Sequence, residues 1–166
     1  MPAARDFLIR EARPAEFHEI GELVVDAYRS VGESGEGYFE ELRDVAGRAA
    51  VVPVLVAVDA ESGRLLGTVT YVPGPGPYHE GEFGDAASFR MLAVAAEARS
   101  RGVGRALVET CLERARADGR IAIGIYTRPL MTVAHGLYER LGFRRAAGLD
   151  WEFEPGDRLL AYRIDL

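Results

Sequence analysis

A single cysteine, no lysine and no long apolar run narrow the possibilities for this chain before any motif is considered. One thiol, Cys111, cannot close an internal disulfide, which excludes a small module held together by cross-links. Beside it stand three histidines, His18, His79 and His135, which share no helical spacing. Neither a Cys₂His₂ nor a Cys₄ zinc set can be assembled from these, so no metal is expected. The longest apolar stretch, residues 49–58, is ten residues interrupted by Pro53. A spanning helix needs roughly 20, so no membrane partner is expected. Arg5-Asp6-Phe7-Leu8-Ile9-Arg10 places charges where a signal peptide would carry its apolar segment, and a cytoplasmic location is the resulting expectation.

What remains is a chain of 166 residues, 48% hydrophobic, with a formal charge of −6, which is the profile of one globular domain over residues 1–166. Such a length buries roughly two-thirds of the unfolded surface, enough for a core without staples. All twenty basic residues are arginine, and ten of them fall within residues 99–145 against Glu109, Glu113, Asp118 and Glu139. That segment carries +6 and the rest of the chain −12. A basic segment inside an acidic protein suits an anionic ligand, while the acidic remainder repels polyanions and argues against nucleic acid.

Residues 7–10 read as a strand, and Pro14 opens a helix that carries Phe17, Ile20, Leu23, Val24 and Ala27 on one face. A Gly-rich break precedes a second helical stretch over residues 38–49. Residues 54–58 and 65–72, rich in β-branched side chains and flanking Glu61-Ser62-Gly63, predict an antiparallel hairpin that Pro73 ends. Residues 73–87, with three prolines and four glycines, form a loop. A strand follows at 89–94, then a helix marked by Val103, Ala106, Leu107, Cys111 and Ala115 and closed at Asp118-Gly119. Ile121, Ile123 and Ile125 predict a buried strand, and Val133, Leu137, Tyr138 and Leu141 a helix that Gly142 closes. The last strands are expected near 143–144 and 159–164. The order β-α-α-β-β-β-α-β-α-β-β is that of an α/β chain with a mixed sheet.

Strand, glycine turn, helix is a recipe for gripping phosphate: the first-turn N–H groups lack helical partners and the macrodipole favours an anion. Gly102 and Gly104 permit close backbone approach, and Arg99, Arg101 and Arg105 add three cations within seven residues. Taken alone, the turn suits an ordinary strand-to-helix connection with a solvated arginine cluster equally well. A dinucleotide fingerprint would need glycine or alanine where Leu107 stands, and a Walker A loop needs a lysine.

Leu92-Ala93-Val94, the turn Arg99-Ser100-Arg101-Gly102-Val103-Gly104, and Ala134-His135-Gly136-Leu137-Tyr138-Glu139-Arg140-Leu141-Gly142-Phe143 occur in that order and together resemble the GNAT superfamily of N-acetyltransferases. The resemblance implies a mixed, mostly antiparallel sheet of about six to seven strands flanked by about four helices. It implies acetyl-CoA as cosubstrate, with Leu92, Ala93 and Val94 holding the pantetheine like an added strand. Arg99, Ser100, Arg101, Gly102, Val103, Gly104 and Arg105 would hold the pyrophosphate. Tyr138 matches the tyrosine proposed to protonate the departing thiolate, although Val133, Leu137 and Leu141 share its spacing and a purely packing role stands beside that one. Homodimers are common in the family.

The chain departs from the family pattern twice. Met131 stands where many members carry an asparagine that contacts CoA, and Ser88 and Arg90 stand where many place a glutamate base. Glu82 or Asp85 could serve instead through water. Acceptor-side candidates are Tyr28, Glu33, Glu36 and Tyr38, then Tyr78, His79, Glu80, Glu82 and Asp85, then Asp150, Trp151 and Glu152. Acids beside aromatics favour a cationic amine, of a small molecule or a peptide, as acceptor. Of these, Glu82, Asp85 and Trp151 are the substrate-site expectation. Cys111 fits a buried helix face rather than a nucleophile's position. Two further readings stay open: a CoA-binding regulatory domain without turnover, and an enzyme that uses the same turn for a nucleotide phosphate.

Overall fold

The computed structural model describes residues 5–33, 35–81 and 83–166, apart from the side chain of Phe153. Two compact units are present, one from Met1–Thr70 with Met91–Thr110, the other from Tyr71–Arg90 with Cys111–Leu166. Among the described residues no helix is long and apolar enough to cross a membrane.

In the first unit, β1 (Phe7–Glu11) pairs antiparallel with β2 (Val54–Asp59), which turns back into β3 (Leu65–Val72). With β4 (Ser88–Val94) the sheet order is β1-β2-β3-β4. Asp59 shapes the β2–β3 turn by accepting from the N–H groups of Glu61 (3.0 Å) and Ser62 (2.8 Å), and Gly63 supplies φ +73°. Every residue of β3 is buried, as is all of β2 except Asp59, so both faces of the hairpin are covered. On one face α1 (Phe17–Ser30) sets Ile20 against Val54, Val56, Val58 and Leu65. On the other, α4 (Val103–Ala117) approaches so closely that a Cβ on Gly67 would lie 2.8 Å from Val103 Cγ1 and 3.1 Å from Leu107 Cδ1. Ala57, the cross-strand partner of Gly67, is equally small on that face.

The helical stretch expected over 38–49 is two helices, α2 (Glu36–Arg43) and α3 (Val45–Ala49). Asp44 breaks it: at ψ 61° it leaves the helical region, and its carboxylate accepts from Gly47 N at 3.0 Å. Arg48, 1% exposed, then donates to the carbonyls of Leu42 (2.8 Å) and of Glu41 (3.1 Å), the latter also accepting from Asp44 N at 3.2 Å.

In the second unit, β5 (Ala122–Thr127) pairs antiparallel with β8 (Asp157–Asp165), which also pairs with β6 (Arg144–Arg145) and with β7 (Trp151–Glu154). β7 is an eighth strand beyond the expected seven, turned into β8 through Gly156 at φ +88°. A single parallel bridge joins Ala87 to Ile123. Ile121 lies outside β5 and is 70% exposed, whereas Ala122 to Ile125 are buried continuously, because Phe83 covers Gly124 from the other side. Tyr71 donates to Asp118 Oδ2 at 2.6 Å near the C-terminus of α4, where Gly119 at φ +73° ends the helix. The last helix, α5 (Thr132–Arg140), is closed by Gly142 at φ +101°, with Phe143 N donating to Tyr138 O at 3.0 Å.

The contact of β3 with α4 leaves no room for a methyl group. Gly67→Ala should therefore lower stability by about 1–3 kcal/mol, read as a reduced urea midpoint at unchanged slope.

Candidate functional site

The connection from β4 to α4 lies wholly in the first unit. A short 3₁₀ turn, Ala96–Ala98, follows the strand, and Ala98 is fully buried beneath what comes next. Ser100 (φ +68°) and Gly102 (φ +80°) both adopt left-handed backbone, and Ala106 N closes the first helical hydrogen bond onto Gly102 O at 3.0 Å. Among the described residues nothing accepts from the N–H groups of Gly102, Val103, Gly104 and Arg105. Successive free donors after a left-handed residue form an anion-binding concavity, reinforced by the helix dipole.

The three arginines of the turn are not equivalent. Arg101 is held by Asp6 Oδ2 (2.9 Å) and Asp59 Oδ2 (3.4 Å), and Arg105 by Glu109 (2.7 Å), which Arg5 also reaches (3.1 Å). Of the three, Arg99 alone makes no ion pair with a described residue. It lines a cleft of about 420 Å³ together with Val94 and Ala95 and with Leu23, Asp26 and Ser30 of α1. The expectation of three available cations is thus reduced to one cation and a row of N–H groups.

β4 carries a feature that its sequence does not advertise. Met91, 2% exposed, has φ +57°, a left-handed backbone for a bulky residue within a strand. Beyond it Leu92 and Val94 are half-buried and Ala93 is buried. At the start of the strand, where a glutamate was sought, Ser88 is buried and Arg90 pairs with Glu80 at 2.9 Å. Arg90 thereby ties the Gly/Pro loop to β4, a link that neither residue reveals in the sequence.

In the second unit Tyr138 is the buried residue of α5, at 5% exposure, whereas Val133 is 86% exposed and Leu137 half-buried. Val133 thus drops out of the expected apolar face, while the burial of Tyr138 suits the packing role as well as the chemical one. Its ring meets Phe89 and Phe143, each at 5.7 Å, and Tyr162 at 6.1 Å. Its hydroxyl bonds to no described residue, and burial, with a smaller contribution from Cys111, pushes the phenol above its ordinary value. Tyr138 is accordingly a protonated donor at neutral pH. Cys111, fully buried, is likewise pushed up and stays a thiol. His135 points to Arg128 O (3.0 Å) and stacks near Tyr162, a structural placement. Met131 occupies the N-cap of α5 without capping it.

The acceptor candidates separate. Phe83, Tyr126 and Trp151 form an aromatic row with centroids 5.0 and 6.1 Å apart, and Trp151 is 42% exposed. Asp85 is exposed, while Glu82 lies outside the described residues. Asp150 is committed to the hairpin: it accepts from Arg145, Arg158 and Ala161 N, and the Arg145 guanidinium above all holds its carboxyl far below the usual range. His79 is engaged by Ala86 O at 3.0 Å. Tyr28, Glu33, Glu36 and Tyr38 belong to the first unit, where Tyr28 and Tyr38 meet edge to face at 5.7 Å. Among the described residues no group of three or more His, Cys, Asp or Glu side chains is placed to hold a metal ion.

Residues 14–143 match the model of the acetyltransferase (GNAT) family. The chain is 30% identical over 95 residues to N-acetyltransferase family 8 member 3 of Rattus norvegicus, a match covering 57% of this chain and 40% of that protein's length. A GCN5-related N-acetyltransferase from Kribbella flavida superposes with a TM-score of 0.69 at 26% identity, over 97% of this chain and 98% of its own. A GNAT family acetyltransferase from Brucella melitensis, solved in complex with acetyl-CoA, shares the fold with a TM-score of 0.62 at 23% identity, over 85% and 84% of the two chains.

Asp59, fixed by Ser62, Glu61 and Arg101, has its carboxyl lowered to about 2 from the ordinary 3.8. A depressed carboxyl stabilises the fold above its unfolded value and loses that contribution as pH falls through the folded one. The stability gap between wild type and Asp59→Asn should thus be constant above about pH 5 and close as pH falls to about 2, measured by thermal melts across that range.

Proposed function

The chain belongs to the acetyltransferase (GNAT) family, and we propose that it moves an acetyl group from acetyl-CoA to a primary amine of a small molecule or peptide by direct attack, with both substrates bound together. The observation that carries this reading is the row of four unpaired N–H groups at residues 102–105 beside the unpaired Arg99. Their chemistry fits a pyrophosphate, which takes several short donors and a planar guanidinium at once. Acetyl-CoA, when bound, supplies the thioester that makes the acetyl group transferable.

Each further step falls to residues of this chain. At the end of the sheet order, the β4 residues Leu92, Ala93 and Val94 would offer main-chain groups to the pantetheine amides in the manner of an added strand. The left-handed backbone at Met91 interrupts the pleat, and a backbone N–H beside it would polarise the thioester carbonyl oxygen. Tyr138 keeps its proton at neutral pH and donates it to the departing sulfur. Asp85 and Glu82 are the loop acids that would take a proton from the incoming ammonium through water, and Trp151, at the exposed end of its aromatic row, would face a cationic acceptor. The rat relative's name, which specifies N-acetyl transfer, supports an amine as acceptor.

Tyr138→Phe should reduce kcat by about 100-fold while the Kd for acetyl-CoA, by calorimetry, stays within about twofold, since only a hydroxyl is removed. Acetyl-CoA binding without turnover of any amine by the wild-type protein would favour the regulatory reading instead. Arg99→Ala should raise the Kd for acetyl-CoA about tenfold and flatten its dependence on salt.

A further inference from the structure

The ion pairs around Arg101 carry a second inference, which rests on the reading of residues 99–105 as the acetyl-CoA pyrophosphate site. We infer that Arg101 is a positioning residue that does not itself touch phosphate, and that Asp59 and Asp6 set the shape of the anion-binding turn through it. Arg101 sits between the two left-handed residues, Ser100 at φ +68° and Gly102 at φ +80°, so its side chain tethers the point where the chain reverses. That tether runs to the first strand and the end of the second: Asp6 immediately precedes β1 and Asp59 ends β2. These anchors are themselves fixed. Phe7 and Asp59 are cross-strand partners, and Asp59 accepts from Glu61 N, Ser62 N and Ser62 Oγ at 2.8–3.0 Å.

A guanidinium flanked by two carboxylates has no net positive charge left to offer. Its contribution to an arriving pyrophosphate is therefore geometric. The backbone of the turn offers little resistance of its own: Arg101 N reaches Ala98 O only at 3.4 Å, and the donors at 102–105 bind nothing within the described protein. Without the clamp, Ser100 can relax towards right-handed backbone and the row of N–H groups loses its common aim. Arg99 and Arg101, two residues apart in one basic motif, thus do different work: the first neutralises, the second holds.

The test is acetyl-CoA affinity and steady-state kinetics for Arg101→Ala, Asp59→Asn, Asp6→Asn, the Asp59→Asn/Arg101→Ala double variant and Arg99→Ala, at several salt concentrations. Arg101→Ala and Asp59→Asn should each raise the Kd and the KM for acetyl-CoA about three- to tenfold with kcat at saturation unchanged. The double variant should be no worse than either single one, and the salt dependence should match wild type. Asp6→Asn, which leaves the 60–63 turn intact, should move in the same direction. Unchanged or tighter binding in Asp59→Asn and Asp6→Asn, additive losses in the double variant, or a salt slope flattened by Arg101→Ala would overturn the inference and make Arg101 a phosphate ligand or a bystander. If Arg99→Ala binds as tightly as wild type, or wild type does not bind acetyl-CoA, the reading of the whole turn falls, and this inference with it.

Discussion

Helix α4 begins with donors that nothing in the described protein accepts from, and much of the first unit is arranged around that fact. An amide N–H must find water, a side chain or a ligand, and aiming four of them at one place constrains the backbone before and after. Gly102 supplies the reversal without a Cβ to obstruct it. Ala98 is small enough to lie fully buried beneath the turn, and Gly67 lets the helix settle onto the sheet at Val103 and Leu107. The small residues of β3 and of the turn are therefore one design: they bring a helix terminus down onto a sheet while leaving its leading edge open.

Charge is allocated with the same economy. A basic segment of +6 suggests a broad positive field, yet the structure commits Arg101, Arg105 and Arg145 of that segment to acids, as it does other arginines outside it. Arg105 and Arg5 share Glu109, Arg90 takes Glu80, and Arg145 and Arg158 converge on an Asp150 that is only 5% exposed. The exposed pairs among these, such as Arg5 with Glu109, add little stability each. Their effect is to fix loops and turns where they are needed, while Arg99, without an ion pair to a described residue, lines a cleft shared with Glu19, Glu22, Asp26 and Glu97.

Local patterns in the sequence carried the elements that owe their form to near neighbours. The β2–β3 hairpin around Gly63, the buried stripe of α4, and the closing glycines 119 and 142 all follow from residues within a few positions of one another. What the sequence concealed depends on distant partners or on backbone strain. Asp44 could not be seen to split a helix, because its role as cap needs Gly47 free and Arg48 buried against α2. Met91 gives no hint of left-handed backbone, a conformation that glycine would have signalled. The partition of the turn's arginines depends on Asp6 and Asp59, at least 42 positions away, and Val133 is apolar by type but exposed in fact. The turn at residues 99–105 and the motif around Tyr138 were legible as patterns because they are local. The acceptor side was not, since Asp150 differs from Asp85 only in which arginines fold back upon it.

The guanidinium character of every cation in this fold has a chemical corollary. A transferase that acylates amines works in constant contact with its own surface, and side-chain amines there would compete with the intended acceptor and lose their charge when modified. Here the groups that clamp the turn, tie the loop to β4 and secure the last hairpin are all arginines, permanently protonated and delocalised. The sequence carries no side-chain amine, so its ion-pair framework holds no group whose charge acetylation of an amine would remove.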